Sequence, residues 1–328
     1  MEKMKVDVLF TWLDETTQLI QQHMEETYLD SLSITLETLF FQQAAEDMDD
    51  ILTHKLESAL KNIQLDTYEK FEIRKAIQLA ILKGMKDSTQ QQHLMTPETI
   101  AMLIGYLTNK LTAKMDSIRL FDPASGTGNL LTIVMEQLEQ PVQAFGSEVD
   151  PTLIQLAVWN ANLQKTSIEF FHQDSLRPFL LDPVDVVVAD LPVGYYPDDV
   201  RASDFELKAD EGHSYAHHLF IEQSMNYTKD GGYLLFIAPN FLFDDDQSAK
   251  LHKYIQKHAY ISGVLQLPET AFKAKENAKC IVILQKKGEQ VQAPKQPLLV
   301  QLPSLSNAHA MEDILSKMND WFNENTNN

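Results

Sequence analysis

The sequence predicts an α/β domain built on a mostly parallel sheet and preceded by an all-α domain. Three observations carry that reading. Residues 1–84 contain no proline and only one glycine, Gly84, and their apolar residues recur at three- and four-residue steps. From His93 onward, short β-rich runs alternate with helical ones, the pattern of parallel strands in a sheet covered on both faces. One such run ends in Phe121-Asp122-Pro123-Ala124-Ser125-Gly126-Thr127-Gly128-Asn129-Leu130, an acid and two glycines at a strand-to-helix turn.

The helical stripes of the first region are Leu32, Leu36, Leu39 and Phe40, then Ile51, Leu52, Leu56 and Leu60, then Ile73, Ile77, Leu79, Ala80 and Ile81. Up to Ser88 there are 17 acidic and 9 basic residues, so the outer faces of this bundle are acidic. Such a bundle packs on the next domain or on a second copy of the chain, and a homodimer is one arrangement it allows. Lys86 to Gln92 is polar and reads as a linker. The expected strands are Ile118–Phe121, Val142–Gly146, Ile168–His172, Val184–Ala189, Gly232–Ala238, Ile261–Leu267 and Cys280–Gln285, with helices between most of them. Pro294, Pro297 and Pro303 mark the start of a tail, with a terminal helix from Ala310 to Phe322 and a frayed end from Asn323 to Asn328. The expected domains are therefore 1–88, 89–288 and 289–328.

Composition excludes several classes. Hydrophobic residues make up 44% of the 328 and charged residues 23%, as in a globular protein. No apolar run reaches the roughly 18 residues of a transmembrane helix. The single cysteine, Cys280, precludes an internal disulfide framework, fits a reducing compartment and points to the cytoplasm. Its β-like apolar run makes a buried, inert thiol the expectation. The formal charge is -20, from 27 basic and 47 acidic residues. A protein that holds duplex DNA alone needs a basic face against the phosphates, so this balance argues against unaided DNA binding.

The chemistry is concentrated after His93. Glycine has no Cβ and tolerates positive φ, so the turn at Gly126 and Gly128 lets backbone approach a ligand closely. In open α/β sheets ligands bind beyond the carboxyl ends of the strands, where this turn lies. Glu148 follows Gly126 by about 20 residues and closes the next strand, where an acid can accept both ribose hydroxyls of an adenosine cofactor. A dinucleotide site needs a third glycine, but that position is Leu131. Asp150-Pro151 opens a helix, with Asp150 as its cap. Upstream, Thr96 can start a helix with Pro97 at its first position, and the exposed N–H groups there suit a carboxylate. Asp174, in Gln173-Asp174-Ser175, ends the third strand, and the fourth runs into Asp190-Leu191-Pro192-Val193-Gly194-Tyr195-Tyr196-Pro197. Later come Gly231-Gly232-Tyr233-Leu234-Leu235-Phe236-Ile237-Ala238-Pro239-Asn240, Val264–Phe272 and Lys279–Lys286.

In this order the motifs of residues 93–288 resemble the class I S-adenosylmethionine (SAM)-dependent methyltransferases, and most of all the N6-adenine DNA methyltransferases that serve as modification subunits of type I restriction systems. The resemblance implies a Rossmann-like sheet of seven strands and SAM as cofactor. It implies that Asp122, Ala124, Gly126 and Gly128 pass under the methionine portion, with Asp122 anchoring its ammonium directly or through water. Thr96 helps to hold the methionine end, Glu148 takes the ribose, and Asp174 accepts from the adenine amino group.

The Asp190 loop stands where the family carries N-P-P-Y/F or D-P-P-Y. An amino or amide nitrogen is a poor nucleophile because its lone pair is delocalised. Accepting its N–H hydrogens favours a tetrahedral nitrogen and stabilises the positive charge that develops on it. Stacking on an aromatic ring, worth roughly 1–3 kcal/mol per base, holds a flipped base in place. Asp190 matches the acceptor and Pro192 the second proline, whereas Leu191 and Val193 replace the first proline and the aromatic. Asp190, Pro192 and Tyr195 are the expected acceptor-pocket residues, with Tyr196 a second source of a ring, and Asp190 also borders the cofactor. The resemblance implies methylation of an amino or amide nitrogen. A glutamine-amide protein substrate, an RNA substrate, or a SAM-binding scaffold without turnover remain as alternatives. A nucleic-acid acceptor requires a partner protein, because no target-recognition domain is evident. His213 and His217, four residues apart, could face a metal, but a polar loop entering a helix is the reading adopted and no metal is expected. Asp244-Asp245-Asp246 reads as a solvated loop with a helix cap.

Overall fold

The computed structural model describes residues 4–45, 48–87, 95–178, 180–272 and 277–325. His93, Leu94, most of the expected linker and the last three residues of the expected frayed end lie outside the described residues. Helices α1 (Lys5–Met24), α2 (Tyr28–Phe41), α3 (Asp50–Leu60), α4 (Lys70–Asp87) and α5 (Glu98–Thr112) come first. Then follow β1 (Ile118–Asp122), α6 (Asn129–Gln137), β2 (Val142–Glu148), α7 (Pro151–Leu163), β3 (Ile168–His172) and β4 (Val184–Asp190). After them come α8 (Asp199–Ala202), α9 (Ala216–Tyr227), β5 (Thr228–Pro239), α10 (Ser248–His258), β6 (Ala259–Gln266), β7 (Lys279–Lys286), β8 (Leu298–Gln301) and α11 (Ala308–Asn325). Among the described residues no helix is long and apolar enough to cross a membrane.

The chain divides into two compact units. The first comprises Met1–Thr96, Ser125–Thr132 and Glu148–His172. Two of its helices begin where short polar side chains cap free N–H groups: Thr27 accepts from Asp30 N at α2, and Asp49 from Ile51 N and Leu52 N at α3. Most of the apolar stripes close into a core in which Leu9, Leu32, Leu36 and Ile77 meet Leu156 and Leu163 of α7, while Leu52 and Leu56 pack with Ile20 in a second cluster and Phe40, Ile51 and Leu79 are exposed. Full burial is worth about 1.5–3 kcal/mol for each such side chain. Trp159 of α7 packs 5.6 Å from both Phe40 and Phe41, and Thr152 Oγ1 donates to Asp30 Oδ1 at 2.5 Å. The helical bundle therefore shares its core with α7 and belongs to the same compact unit as the glycine turn.

The second unit comprises Pro97–Ala124, Ile133–Ser147 and Gln173–Asn328. The sheet has the strand order β3-β2-β1-β4-β5-β7-β6-β8. β1 pairs parallel with β2 and β4, β4 runs parallel to β5, and β7 is antiparallel to both β5 and β6. The strand order reverses at β1, and ligands bind at such a switch point in open α/β sheets. Each of the seven expected strands is present, and the sheet has an eighth. β8 pairs parallel with β6, from Gly263↔Leu298 to Gln266↔Gln301. It lies within the stretch read from the sequence as a tail, because four residues between Pro297 and Pro303 look like a proline-rich connection. Proline is tolerated at the flanks of an edge strand, where no ladder hydrogen bond is lost.

Candidate active site

Asp122 and Asp190 end two adjacent parallel strands, since β1 pairs with β4. Asp122 is buried, and its Oδ1 accepts the Ala124 N–H at 3.0 Å, so this carboxylate holds the first bend of the turn. Ser175 Oγ donates to the Pro123 carbonyl at 2.6 Å and fixes the same bend from the segment after β3. Gly126 and Gly128 both have positive φ, 52° and 73°, in the left-handed region that only glycine enters at little cost. A Cβ on Gly126 would meet nothing within 4 Å, whereas one on Gly128 would lie 3.3 Å from Ala157 Cβ. Gly128 is thus needed for packing on α7, and Gly126 leaves an open face.

Glu148 caps this face. Its Oε2 accepts the Gly126 N–H at 2.9 Å, and its Oε1 accepts from Val149 N at 2.9 Å and Asp150 N at 3.0 Å. Three backbone donors fix the carboxylate's orientation, and a carboxylate has about four acceptor positions, so capacity for a ligand hydroxyl remains. Asp150 in turn caps α7, accepting from Thr152 N and Leu153 N, as expected.

Three residues that sequence reasoning missed hold the turn. Asn160 Nδ2 of α7 donates to the Thr127 carbonyl at 3.0 Å. Asn129 Nδ2 donates to the Thr96 carbonyl at 2.8 Å, and Gln78 Nε2 of α4 donates to Asn129 Oδ1 at 2.5 Å. The available signal was a polar residue on an otherwise apolar face: Gln78 sits beside Ile77 and Ile81, and Asn160 beside Ala157 and Ala161. Gln164 Nε2 also donates to Asn160 Oδ1, at 2.7 Å. Asn160→Ala strands the Thr127 carbonyl in the interior, whereas the Gln164 amide keeps its bond to the backbone carbonyl of residue 160; the loss costs about 1–3 kcal/mol. Chemical denaturation should show that loss as a lower midpoint at unchanged slope.

The start of α5 corrects one expectation. Pro97, not Thr96, is the N-cap: it is extended at φ -58° and ψ 138°, makes no side-chain cap, and its carbonyl accepts Ile100 N and Ala101 N at 3.0 Å. Proline needs no N–H at this boundary, so the helix begins at Glu98. Thr96 is buried and offers its carbonyl to Asn129 instead.

Asp174 Oδ1 accepts Leu176 N at 2.9 Å, and its Oδ2 accepts the Tyr196 hydroxyl at 2.5 Å. Tyr196 is buried; burial first, and then this bond, push its phenol well above the usual range, so it stays a donor. Tyr196 therefore orients Asp174 and is not the exposed ring. Tyr195 is that ring: it is 59% exposed and stacks on Tyr215 at 4.9 Å and 11°. Val193 is also exposed and Pro192 half-buried. Backbone bonds stitch this loop to the segment before α9, from Tyr196 N to the Ser214 carbonyl and from Ala216 N to the Gly194 carbonyl, both at 2.9 Å. Asp190 forms an ion pair with Lys279 of β7, which the β5–β7 register places opposite Pro239. Nothing in the sequence pointed to Lys279, because it opens a strand that reads as core. Cys280 beside it is the expected buried thiol, pushed up to about 11 by burial.

Of two polar clusters before and beside α9, one differs from expectation. His213 is exposed and bonds Asp199 at 2.9 Å through Nδ1, so it does not pair with His217. Asp245 is not solvated: its side chain is 5% exposed and faces His217 and His218. Its loop packs on α9, a contact between segments too far apart in sequence for a local reading to find.

Sequence and structure comparisons agree with this fold. The N-6 DNA Methylase profile matches residues 81–327, and the YtxK N-terminal helical domain profile matches residues 7–85. This chain belongs to the N-6 DNA Methylase family. The protein YtxK of Bacillus subtilis (strain 168), itself uncharacterized, is 46% identical over 326 residues, spanning 98% of this chain and 99% of its own. A candidate class I SAM-dependent methyltransferase from Listeria monocytogenes superposes with a TM-score of 0.90 at 44% identity, over 97% of this chain and 99% of that one. The type I restriction-modification methyltransferase subunit from Streptococcus thermophilus shares the fold at a TM-score of 0.64 and 16% identity, over 95% of this chain and 74% of that one. Family and fold together place the chain among the class I SAM-dependent methyltransferases.

Proposed function

We propose that this protein binds SAM through Asp122, Ala124, Gly126, Gly128, Glu148 and Asp174, with Thr96 assisting, and methylates an amino or amide nitrogen. N6 of adenine is the acceptor chemistry that the family favours. The observation that carries the reading is the turn at Gly126: positive φ, no atom within 4 Å of the missing Cβ, and a backbone-held carboxylate on its N–H. An adenosyl ligand with a ribose to anchor fits that chemistry. SAM supplies a methyl group on a sulfonium, an electrophile that needs no further activation. The work left to the chain is to orient the acceptor and accept its N–H hydrogens, which falls to Asp190, with Pro192 and Tyr195 lining the pocket. The net charge of -20 supports a partner protein for any nucleic-acid acceptor.

One observation favours a second reading, a SAM-binding protein without turnover. Lys279 occupies Asp190 and puts positive charge where the acceptor nitrogen must itself become positive, and Val193 stands in place of the stacking ring. Calorimetric titration of the full chain with SAM, followed by labelled methyl transfer to lysate fractions treated with nuclease or protease, separates the cases. Heat and transfer to a nuclease-sensitive fraction support the first reading. Heat without transfer supports the second, and the absence of both heat and a thermal shift rejects SAM binding.

A further inference from the structure

The most unusual polar cluster in the second unit has no part in the chemistry above. His217 and His218, in the first turn of α9, have fully buried side chains, and Asp245, from the loop between β5 and α10, is nearly so. Among the described residues neither ring nitrogen of His217 has a hydrogen-bond partner, while His218 reaches the Leu242 backbone and, at 3.1 Å, Asp245 Oδ2. Leaving buried polar atoms unpaired costs about 1–3 kcal/mol for each. A structure that keeps them together needs something else to satisfy them.

We propose that His217, His218 and Asp245 form a binding site for a divalent transition metal of the zinc class. Both Nε2 atoms face the same carboxylate oxygen, His218 at 3.1 Å and His217 at 3.7 Å from Oδ2, and the three ligand atoms lie within 4.8 Å of one another. Tetrahedral bonds of about 2.0–2.2 Å put neighbouring ligand atoms about 3.3–3.6 Å apart, so both distances to Asp245 Oδ2 already suit a zinc ion and the widest ligand pair has to close by about an ångström. Two imidazoles and one carboxylate are a familiar ligand set for such ions. Burial holds both imidazoles neutral, with His217 down to about 3, so their lone pairs are available at neutral pH. Burial also raises the Asp245 carboxyl, which a bound cation would offset.

The site has a structural consequence. The metal would tie the start of α9 to the loop at Asp245. Tyr215 stacks on His217 at 5.0 Å and on Tyr195 at 4.9 Å, so the clamp continues into the Asp190–Tyr196 loop. The proposal stands apart from SAM binding, and its test uses no SAM.

The full, untagged chain would be stripped with chelator, dialysed against Zn2+ or Co2+, and measured by elemental analysis, visible absorption and thermal melting. The expected result is about one tightly held equivalent of Zn2+, a tetrahedral Co2+ absorption band, and a melting temperature that rises on metal binding. His218→Gln and Asp245→Asn should each lower Zn2+ affinity at least about tenfold, while His213→Ala leaves it unchanged. Should a variant fail to fold, the cobalt spectrum of the unaltered chain decides. No bound zinc and no cobalt band, or full affinity in folded His218→Gln, overturns the site.

Discussion

Gly126→Arg is expected to weaken SAM binding about 100-fold or more, a loss of about 2.7 kcal/mol, while the protein stays folded. The two effects separate because of where Gly126 points. Its φ of 52° costs a non-glycine residue about 1–2 kcal/mol. Its Cβ direction, however, is open, so the first carbon of a side chain there meets no atom within 4 Å. The arginine would instead fill the face on which the adenosyl ligand is proposed to lie. Gly212→Arg is the matched control: φ is 74° and the Cβ direction is equally open, but the residue lies far along the chain from the turn. Calorimetry on both variants, with melting curves alongside, measures the difference. Equal affinity in Gly126→Arg and the unaltered protein would remove the turn from the binding site and the SAM proposal with it.

Asp190→Ala is expected to lower methyl transfer by about 10²–10³-fold, the usual cost of removing one group aimed at developing charge. The loss should fall on kcat more than on SAM affinity, because the carboxylate's work is on the acceptor nitrogen. Lys279→Met is the informative companion. It frees the Asp190 carboxylate from its ion pair, at about 1–3 kcal/mol of stability for leaving a charge half-buried. If Asp190 accepts the acceptor's N–H, this variant retains or gains turnover. Equal damage from Lys279→Met and Asp190→Ala would mean that the ion pair is the working unit and that the acceptor role is wrong. Single-turnover kinetics on whichever fraction takes up label reads both results.

These experiments turn on residues that differ in how far the sequence revealed them. The seven strands were legible because each is a β-rich run of five or more residues, most of them buried and separated by helical runs; even β3, which is half-buried at the sheet's edge, keeps Ile168, Phe170 and Phe171. β8 was not, because four residues at an edge carry too few side chains to show a period. Asp122, Gly126, Gly128 and Glu148 were legible as a group because a sharp strand-to-helix turn with two positive-φ positions and acids accepting its N–H groups needs those residue types in that order. Asn160, Asn129 and Gln78 each donate one hydrogen bond to the same region; a polar residue on an apolar face hints at Gln78 and Asn160, but the partner each one meets is set only by the fold. Thr96 was read as a cap because Thr-Pro is a common helix start; the first carbonyl to accept was Pro97's.

The sequence by itself determined the order of the elements, the glycine turn and the acids at the strand ends, since these depend on neighbours within a few residues. Tertiary structure alone decided that Lys279 meets Asp190 across 89 positions and that Asp245 reaches His217 and His218. Such pairings follow from strand register and loop packing, which only the folded chain sets. The helical domain shows both sides: its stripes were plain in the sequence, but that Leu156, Leu163 and Trp159 of α7 would cover them was not. An apolar stripe states that a face must be buried, and only the assembled core chooses its partner.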